Sequence, residues 1–277
     1  MPELPEVEMV VRTLRPRLVG ERISAVETSG LPLRRPIDRK ALERACVGAR
    51  VEAVRRVGKY WLIDLDNRRT GKHVLLGHLG MSGRLVFSDE DEPRAAHTHA
   101  VFRLQRGLEL RYVDPRRFGV LRAYAAADAP ASPELAVLGV DPFDAAFTVD
   151  HLAAALAASR RDIKAFLMDQ SRVAGLGNIY VCEALFRAGI APKKRSDRLV
   201  ERAPALHAAI VAALADGIAN RGTSFSDYVD ADGQSGGNQH ALAVYGRQKA
   251  PCKRCGAAVR RIVQAGRSTF FCPRCQK

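Results

Sequence analysis

Apolar residues recur at Val7, Val10, Val11, Leu14 and Leu18, the spacing of one helical face, and Gly20 follows as a stop signal. This predicts a helix from Glu6 to Leu18. From about Arg22 to Tyr124 the pattern shortens. RISAVET, VEAVRRV, YWLIDLD, HVLLGHL, HAVFRLQ and LELRYV read as strands, separated by Gly-, Asp- or Pro-containing turns. With no helical pattern between them, they predict an antiparallel sandwich or barrel. The stretch AAADAPASPELAVLGVDPFDAAFT, rich in Ala, Pro and Asp, reads as an interdomain connection. Helical patterns follow at about Val149–Ala158, Ile163–Met168, Ile179–Ala188 and Pro204–Asn220. The polar, glycine-rich SFSDYVDADGQSGGNQHALAVYG is long enough to be a functional loop. No internal repeat is visible.

Composition sharpens this picture. At 277 residues and 47% apolar content, the chain supports one large folded domain or two ordinary ones. No apolar run approaches the roughly 18 residues of a membrane span. The acidic, non-apolar amino terminus does not read as a secretory signal, so a cytoplasmic location is expected. The net charge of +14 draws polyanions at long range. From Tyr245 to Lys277 there are nine Lys or Arg and no Asp or Glu. A nucleic-acid partner is expected over a merely soluble basic surface.

Four of the six cysteines fall as Cys252-x2-Cys255 and Cys272-x2-Cys275. Two such knuckles supply four thiolates to one tetrahedral Zn²⁺. Every ligand position is filled by Cys, so the zinc is expected to be structural. Between the knuckles lie Arg260, Arg261 and Arg267, placed to meet a phosphate backbone. Cys46 and Cys182 stand alone in apolar contexts and read as buried small hydrophobes.

Three turns hold further candidates. In GLGNIY, Gly175–Tyr180, Asn178 is placed to cap the following helix, whose first N–H groups would form an anion site; Arg160 and Lys164 lie just upstream. DPRRFG, Asp114–Gly119, reads either as an Asp-Pro turn with solvated arginines or as something more. GHLGMSG, Gly77–Gly83, reads either as a hairpin with Met81 as core filler or as its companion. On such turns Met81 and Phe118 can be left exposed beside arginine, as in proteins that wedge apolar side chains into a base stack.

The octet MPELPEVE also admits two readings. Pro in the first turn and Glu near a helix start are ordinary N-terminal features. Alternatively, removal of Met1 would make Pro2 the terminal amine. A generic α-amine has a pKa of about 8 against about 10.4 for lysine, so Pro2 could attack a sugar C1′ with Glu3 as proton donor.

Taken together, PELPEVE, GKYWL, GHLGMSG, DPRRFG, GLGNIY, AVYGR and the finger ending FCPRCQK resemble, in order and over the whole chain, bacterial formamidopyrimidine-DNA glycosylase. The resemblance implies an α+β multidomain fold. Residues 1–128 would form a catalytic helix plus β-sandwich, 129–147 a linker, 148–240 a helix–two-turns–helix domain with a base-capping loop, and 241–277 a zinc finger. DNA would bind across the cleft between the halves. It implies a bifunctional glycosylase and AP lyase for oxidised purines, acting by β,δ-elimination on double-stranded DNA, with one structural Zn²⁺, as a monomer without a membrane role. Pro2 resembles the Schiff-base nucleophile, Glu3 the acid/base and Glu6 a supporting carboxylate. Lys59 and Arg267 resemble the residues assigned to the two eliminations. Met81, Arg116 and Phe118 match the gap-filling wedge. His97, Arg160, Lys164 and Asn178 fall where the family contacts phosphates. The loop DGQSGGNQHAL departs from the family's DGKPGYF pattern, which bears on lesion preference. The alternatives are an endonuclease VIII-like enzyme for oxidised pyrimidines and a non-catalytic lesion-binding protein.

Overall fold

In the computed structural model, which describes residues 2–105 and 107–277, the first helix, α1, runs from Leu4 to Leu18. Its predicted stripe of Val7, Val10, Val11, Leu14 and Leu18 is buried. The strands follow as β1 (Ile23–Thr28), β2 (Arg50–Val57), β3 (Tyr60–Asn67), β4 (Gly71–His78), β5 (Arg84–Asp89), β6 (Thr98–Leu104), β7 (Leu108–Val113) and β8 (Val120–Ala125). They form two antiparallel four-stranded sheets, ordered β2-β3-β4-β8 and β1-β6-β7-β5. Trp61 on β3 and Tyr112 on β7 meet with ring centroids 6.4 Å apart, joining the sheets through a shared apolar layer. The indole of Trp61 lies over Gly77 of the paired strand, where any Cβ would come within 2.0 Å of the ring.

Two sequence expectations change here. A helix, α2 (Arg39–Cys46), interrupts the strands, with Asp38 accepting the N–H of Ala41 at 3.0 Å. Only Leu42, Ala45 and Cys46 of it are buried, so its apolar stripe is too narrow to stand out. Strands β5 and β8 were also absent from the expected set. Their edge and end residues are mostly half-buried, which blurs the alternation that marks a strand.

The second set of elements comprises α3 (Val149–Ala157), α4 (Ile163–Leu167), α5 (Asn178–Ala188), α6 (Ala203–Ala219) and the hairpin β9 (Arg260–Gln264) and β10 (Arg267–Phe271). Val200–Ala219 has the length and mean hydropathy of a bilayer span. Yet Leu206, Ile210 and Leu214 are buried, and Gly217 packs so closely on Tyr180 that a Cβ would lie 2.5 Å from the ring. Part of its apolarity is thus used inside the protein.

The chain divides into two compact units, residues 1–136 with 220–237, and 137–219 with 238–277. The expected linker 129–147 is therefore split. Ala129 and Leu135 pack with Leu62, Val74 and Leu76, so the first part of that stretch belongs to the sandwich core. The loop expected within 148–240 is also divided, because its 220–237 segment is held by α1 and β5. Ala231 donates its N–H to Thr13 Oγ1 at 3.1 Å and accepts that of Phe87 at 3.1 Å.

Candidate active site

Pro2 and Glu3 are buried at the start of α1. Glu3 is the helix N-cap in a capping box with Glu6, whose carboxylate accepts the Glu3 N–H at 2.8 Å. Glutamate is a poor choice for a cap, where Ser, Thr, Asp and Asn are preferred. The Glu3 carboxylate nonetheless completes the box by accepting the backbone N–H of Glu6. The other Glu6 oxygen accepts the N–H of Thr223 at 2.7 Å, and its backbone carbonyl accepts the Tyr228 hydroxyl at 3.2 Å. The same helix anchors the next candidate. Glu8 accepts from Arg12 and Arg56, both at 2.9 Å, and Arg56 donates to the Gly58 carbonyl at 2.9 Å. Burial pushes the Glu8 carboxyl up, but the hydrogen-bonded guanidinium groups of Arg12 and Arg56 outweigh it and hold the pKa low. The Gly58–Lys59 turn, with Lys59 buried, is thus tied to the helix that bears Pro2.

The two glycine-flanked turns are the crossings between the sheets. Leu79–Gly83 carries the chain from β4 to β5, and Asp114–Gly119 returns it from β7 to β8. Because His78 pairs with Val120 and Arg84 with Val113, the crossings run side by side. Met81 and Phe118 stand exposed on them, at 39% and 46%, as expected. The Arg116 guanidinium lies 4.8 Å from the Phe118 ring centroid. With Leu33, Arg34 and His78 they border an open cleft of about 630 Å³. His97, exposed and with a left-handed backbone (φ 65°), accepts the Asp114 N–H through its carbonyl.

His78 escaped the sequence reading. Burial, then the Lys59 ammonium, then Arg34 draw its pKa down to about 4. The Gly80 N–H donates to its Nδ1 at 2.9 Å, so the neutral ring carries its proton on Nε2. Only its place in the GHLGMSG turn could have flagged it.

In the second unit, the turns between α4 and α5 are organised by Gln170. Its side chain donates to the Leu176 carbonyl at 2.8 Å and accepts the Gly175 N–H at 3.0 Å. Asn178 does not cap α5. Gly177, in extended conformation, holds that position, and Asn178 donates from Nδ2 to the Ser268 carbonyl at 2.9 Å. Lys164 is buried rather than presented on the surface, with Nζ donating to Thr269 Oγ1 at 2.5 Å and the Ser268 carbonyl at 3.2 Å. Both residues thus brace β10, at whose start Arg267 is exposed; Arg160 is exposed as well. Glu183, also unforeseen, accepts the N–H groups of Ala243, Val244 and Tyr245 at 2.8–2.9 Å and so fixes the AVYG segment.

The Sγ atoms of Cys252, Cys255, Cys272 and Cys275 all lie within 4.8 Å of one another. A tetrahedral ion with Zn–S bonds of about 2.3 Å needs sulfurs about 3.8 Å apart. The pairs Cys252–Cys275 at 3.9 Å and Cys255–Cys272 at 3.5 Å bracket that value. Four soft donors in this geometry fit one zinc and leave it no open position. Cys182 and Phe186 of α5 pack against Cys252 and Cys272. Cys46 and Cys182 are buried, as expected.

Residues 1–121 match the formamidopyrimidine-DNA glycosylase N-terminal domain, 138–229 the helix–two-turns–helix domain of the same enzymes, and 250–277 the zinc finger found in FPG and IleRS. The chain belongs to the formamidopyrimidine-DNA glycosylase family. It is 42% identical to the formamidopyrimidine-DNA glycosylase of Geobacillus kaustophilus, with 100% of both chains covered. The MutM (Fpg) protein of Thermus thermophilus matches with a TM-score of 0.87 at 40% identity, covering 99% of this chain and 98% of that one. A Lactococcus lactis Fpg mutant, solved with Fapy-dG-containing DNA, matches at a TM-score of 0.90 and 33% identity over 100% of both chains. Membership extends through all three parts of the family fold, finger included.

Proposed function

We propose that this chain, a DNA glycosylase of base excision repair by family, removes oxidised purines such as 8-oxoguanine and formamidopyrimidines from duplex DNA and then cleaves the abasic strand. The buried Pro2–Glu3–Glu6 terminus carries the proposal. The Pro2 secondary amine attacks the sugar C1′ as the N-glycosidic bond breaks, and the departing base takes up a proton. Glu3 protonates the ring oxygen as the sugar opens, and loss of the amine proton leaves an iminium. Withdrawal of a C2′ proton then expels the 3′ phosphate, and a second elimination expels the 5′ phosphate. Lys59 and Arg267 serve these two steps in the proposal. Removal of Met1, on which the free amine depends, concerns a residue outside those described.

Met81, Arg116 and Phe118 fill the space that the everted base leaves, which offsets lost stacking. His97 and Arg160 contact phosphates, while Lys164 and Asn178 act by bracing the strand that presents Arg267. The zinc, held by its four cysteines, shapes the hairpin and takes no part in the chemistry. The substrate is double-stranded DNA with oxidised bases or abasic sites, acted on by a monomeric cytoplasmic enzyme. The L. lactis relative was solved with Fapy-dG-containing DNA, in keeping with a purine substrate.

Borohydride added during reaction with an 8-oxoguanine duplex should trap a covalent adduct at Pro2, and Pro2→Gly should trap far less. Absence of an adduct, or equal trapping by the variant, would overturn the mechanism. A thymine-glycol duplex in the same assay separates purine from pyrimidine specificity.

A further inference from the structure

Asp114 is fully buried, with no exposed surface, in a turn between two strands. A carboxylate taken out of water is costly unless its oxygens are satisfied. Both are. Oδ1 accepts the Ser82 hydroxyl at 2.8 Å, and Oδ2 accepts the Gly119 N–H at 2.8 Å. Ser82 belongs to the other crossing, and its Oγ also accepts the Arg116 N–H at 3.2 Å. One hydroxyl from the Met81 turn is therefore bonded twice into the Phe118 turn. The backbones meet as well. A Cβ on Gly80 would come within 2.6 Å of the Phe118 carbonyl carbon and 2.7 Å of the Gly119 nitrogen. Asp114 is held from behind too. Its N–H donates to the His97 carbonyl at 3.0 Å, and its carbonyl lies 3.1 Å from His99 Nε2, with Ser29 Oγ 3.0 Å from the other ring nitrogen.

We infer that Asp114 and Ser82 are positioning residues that lock the Met81 and Phe118 turns into one rigid wedge, so that both side chains enter the base stack together. The inference rests on the wedge role given to Met81 and Phe118 above. Only a carboxylate can accept from a hydroxyl and an N–H through separate oxygens while offering no donor to either. Asparagine in that place would turn an NH2 toward one of two donors. A wedge of independent tips would need no such tie, since each turn already closes on its own backbone: Gly83 N–H on the Leu79 carbonyl, Arg117 N–H on that of Asp114.

The test uses the full chain carrying Ser82→Ala, Asp114→Asn, or Met81→Ala with Phe118→Ala. Base eversion is followed by the fluorescence of 2-aminopurine placed beside 8-oxoguanine in a duplex. Strand cleavage at a pre-formed abasic site in single-stranded DNA, which has no stack to open, is the companion measurement. Ser82→Ala, which leaves the buried Asp114 carboxylate and the Arg116 N–H without their shared partner, should slow eversion about tenfold and leave single-strand cleavage at the wild-type rate. Asp114→Asn should give the same split. Eversion at the wild-type rate in Ser82→Ala overturns the inference, as does a parallel fall of both rates, which would mark a purely structural role. If the Met81/Phe118 double variant also everts normally, the wedge reading itself fails. If that variant is slowed and Ser82→Ala is not, only the tie fails.

Discussion

The carboxylate of Glu6 accepts the backbone N–H of Thr223, 217 residues further along the chain, at 2.7 Å. Its other oxygen holds the N–H of Glu3. One side chain therefore joins the proposed acid to the loop that follows α6.

Glutamine at this position offers a single acceptor oxygen and faces the second N–H with a donor. Glu6→Gln should destabilise the protein by about 1–3 kcal/mol, read as a lower midpoint in urea unfolding. It should also slow excision of 8-oxoguanine. An unchanged midpoint would mean that the loop is secured by its other contacts with α1.

His78 makes stability depend on pH in a defined window. Its folded-state pKa is depressed to about 4 from an ordinary 6.5, so between those values the unfolded chain binds the extra proton. The stability it contributes is complete above 6.5 and lost as the pH falls toward 4. His78→Asn should flatten that part of a stability profile taken by chemical unfolding from pH 4 to 8. A variant profile parallel to the wild-type one would show that other groups govern the slope.

The four-cysteine site makes the hairpin metal-dependent. Structural zinc of this kind contributes on the order of 10 kcal/mol to local folding at neutral pH. A strong chelator should release one zinc per chain, unfold β9 and β10, and abolish binding to duplex DNA as Arg267 loses its platform. Zinc content and a DNA titration, taken on the same samples, check this together. DNA binding that survives complete zinc loss would contradict it.

Much of this site was legible without coordinates because its signals are local. The Cys-x2-Cys spacing states its geometry within a few residues of itself. The stripe from Val7 to Leu18 announces the helix it buries. Glycines on both sides of Met81, and the Asp-Pro turn before Phe118, foretold apolar side chains left outside. Other features were illegible for an equally plain reason. Lys164 reads as a surface cation until Thr269, 105 residues away, is found to hold its amine. Asn178 reads as a cap until the preceding glycine takes that place and Ser268 takes its amide. The segment 220–237 reads as a continuation of the helical domain until Glu6, Thr13 and Phe87 claim it.

The sequence by itself determined the first helix, most of the strands, the metal clip and the basic charge, and it offered the amino terminus as a candidate reacting group. Each depends on periodicity, spacing or residue chemistry within a short window. Tertiary structure alone decided which buried groups satisfy one another: Glu6 with Thr223, Asp114 with Ser82, Glu183 with the AVYG segment, His78 with Gly80 and the field of Lys59. Hydrogen bonds and burial between distant segments follow from packing, and a polar residue carries no mark of its partner until the fold removes the water between them.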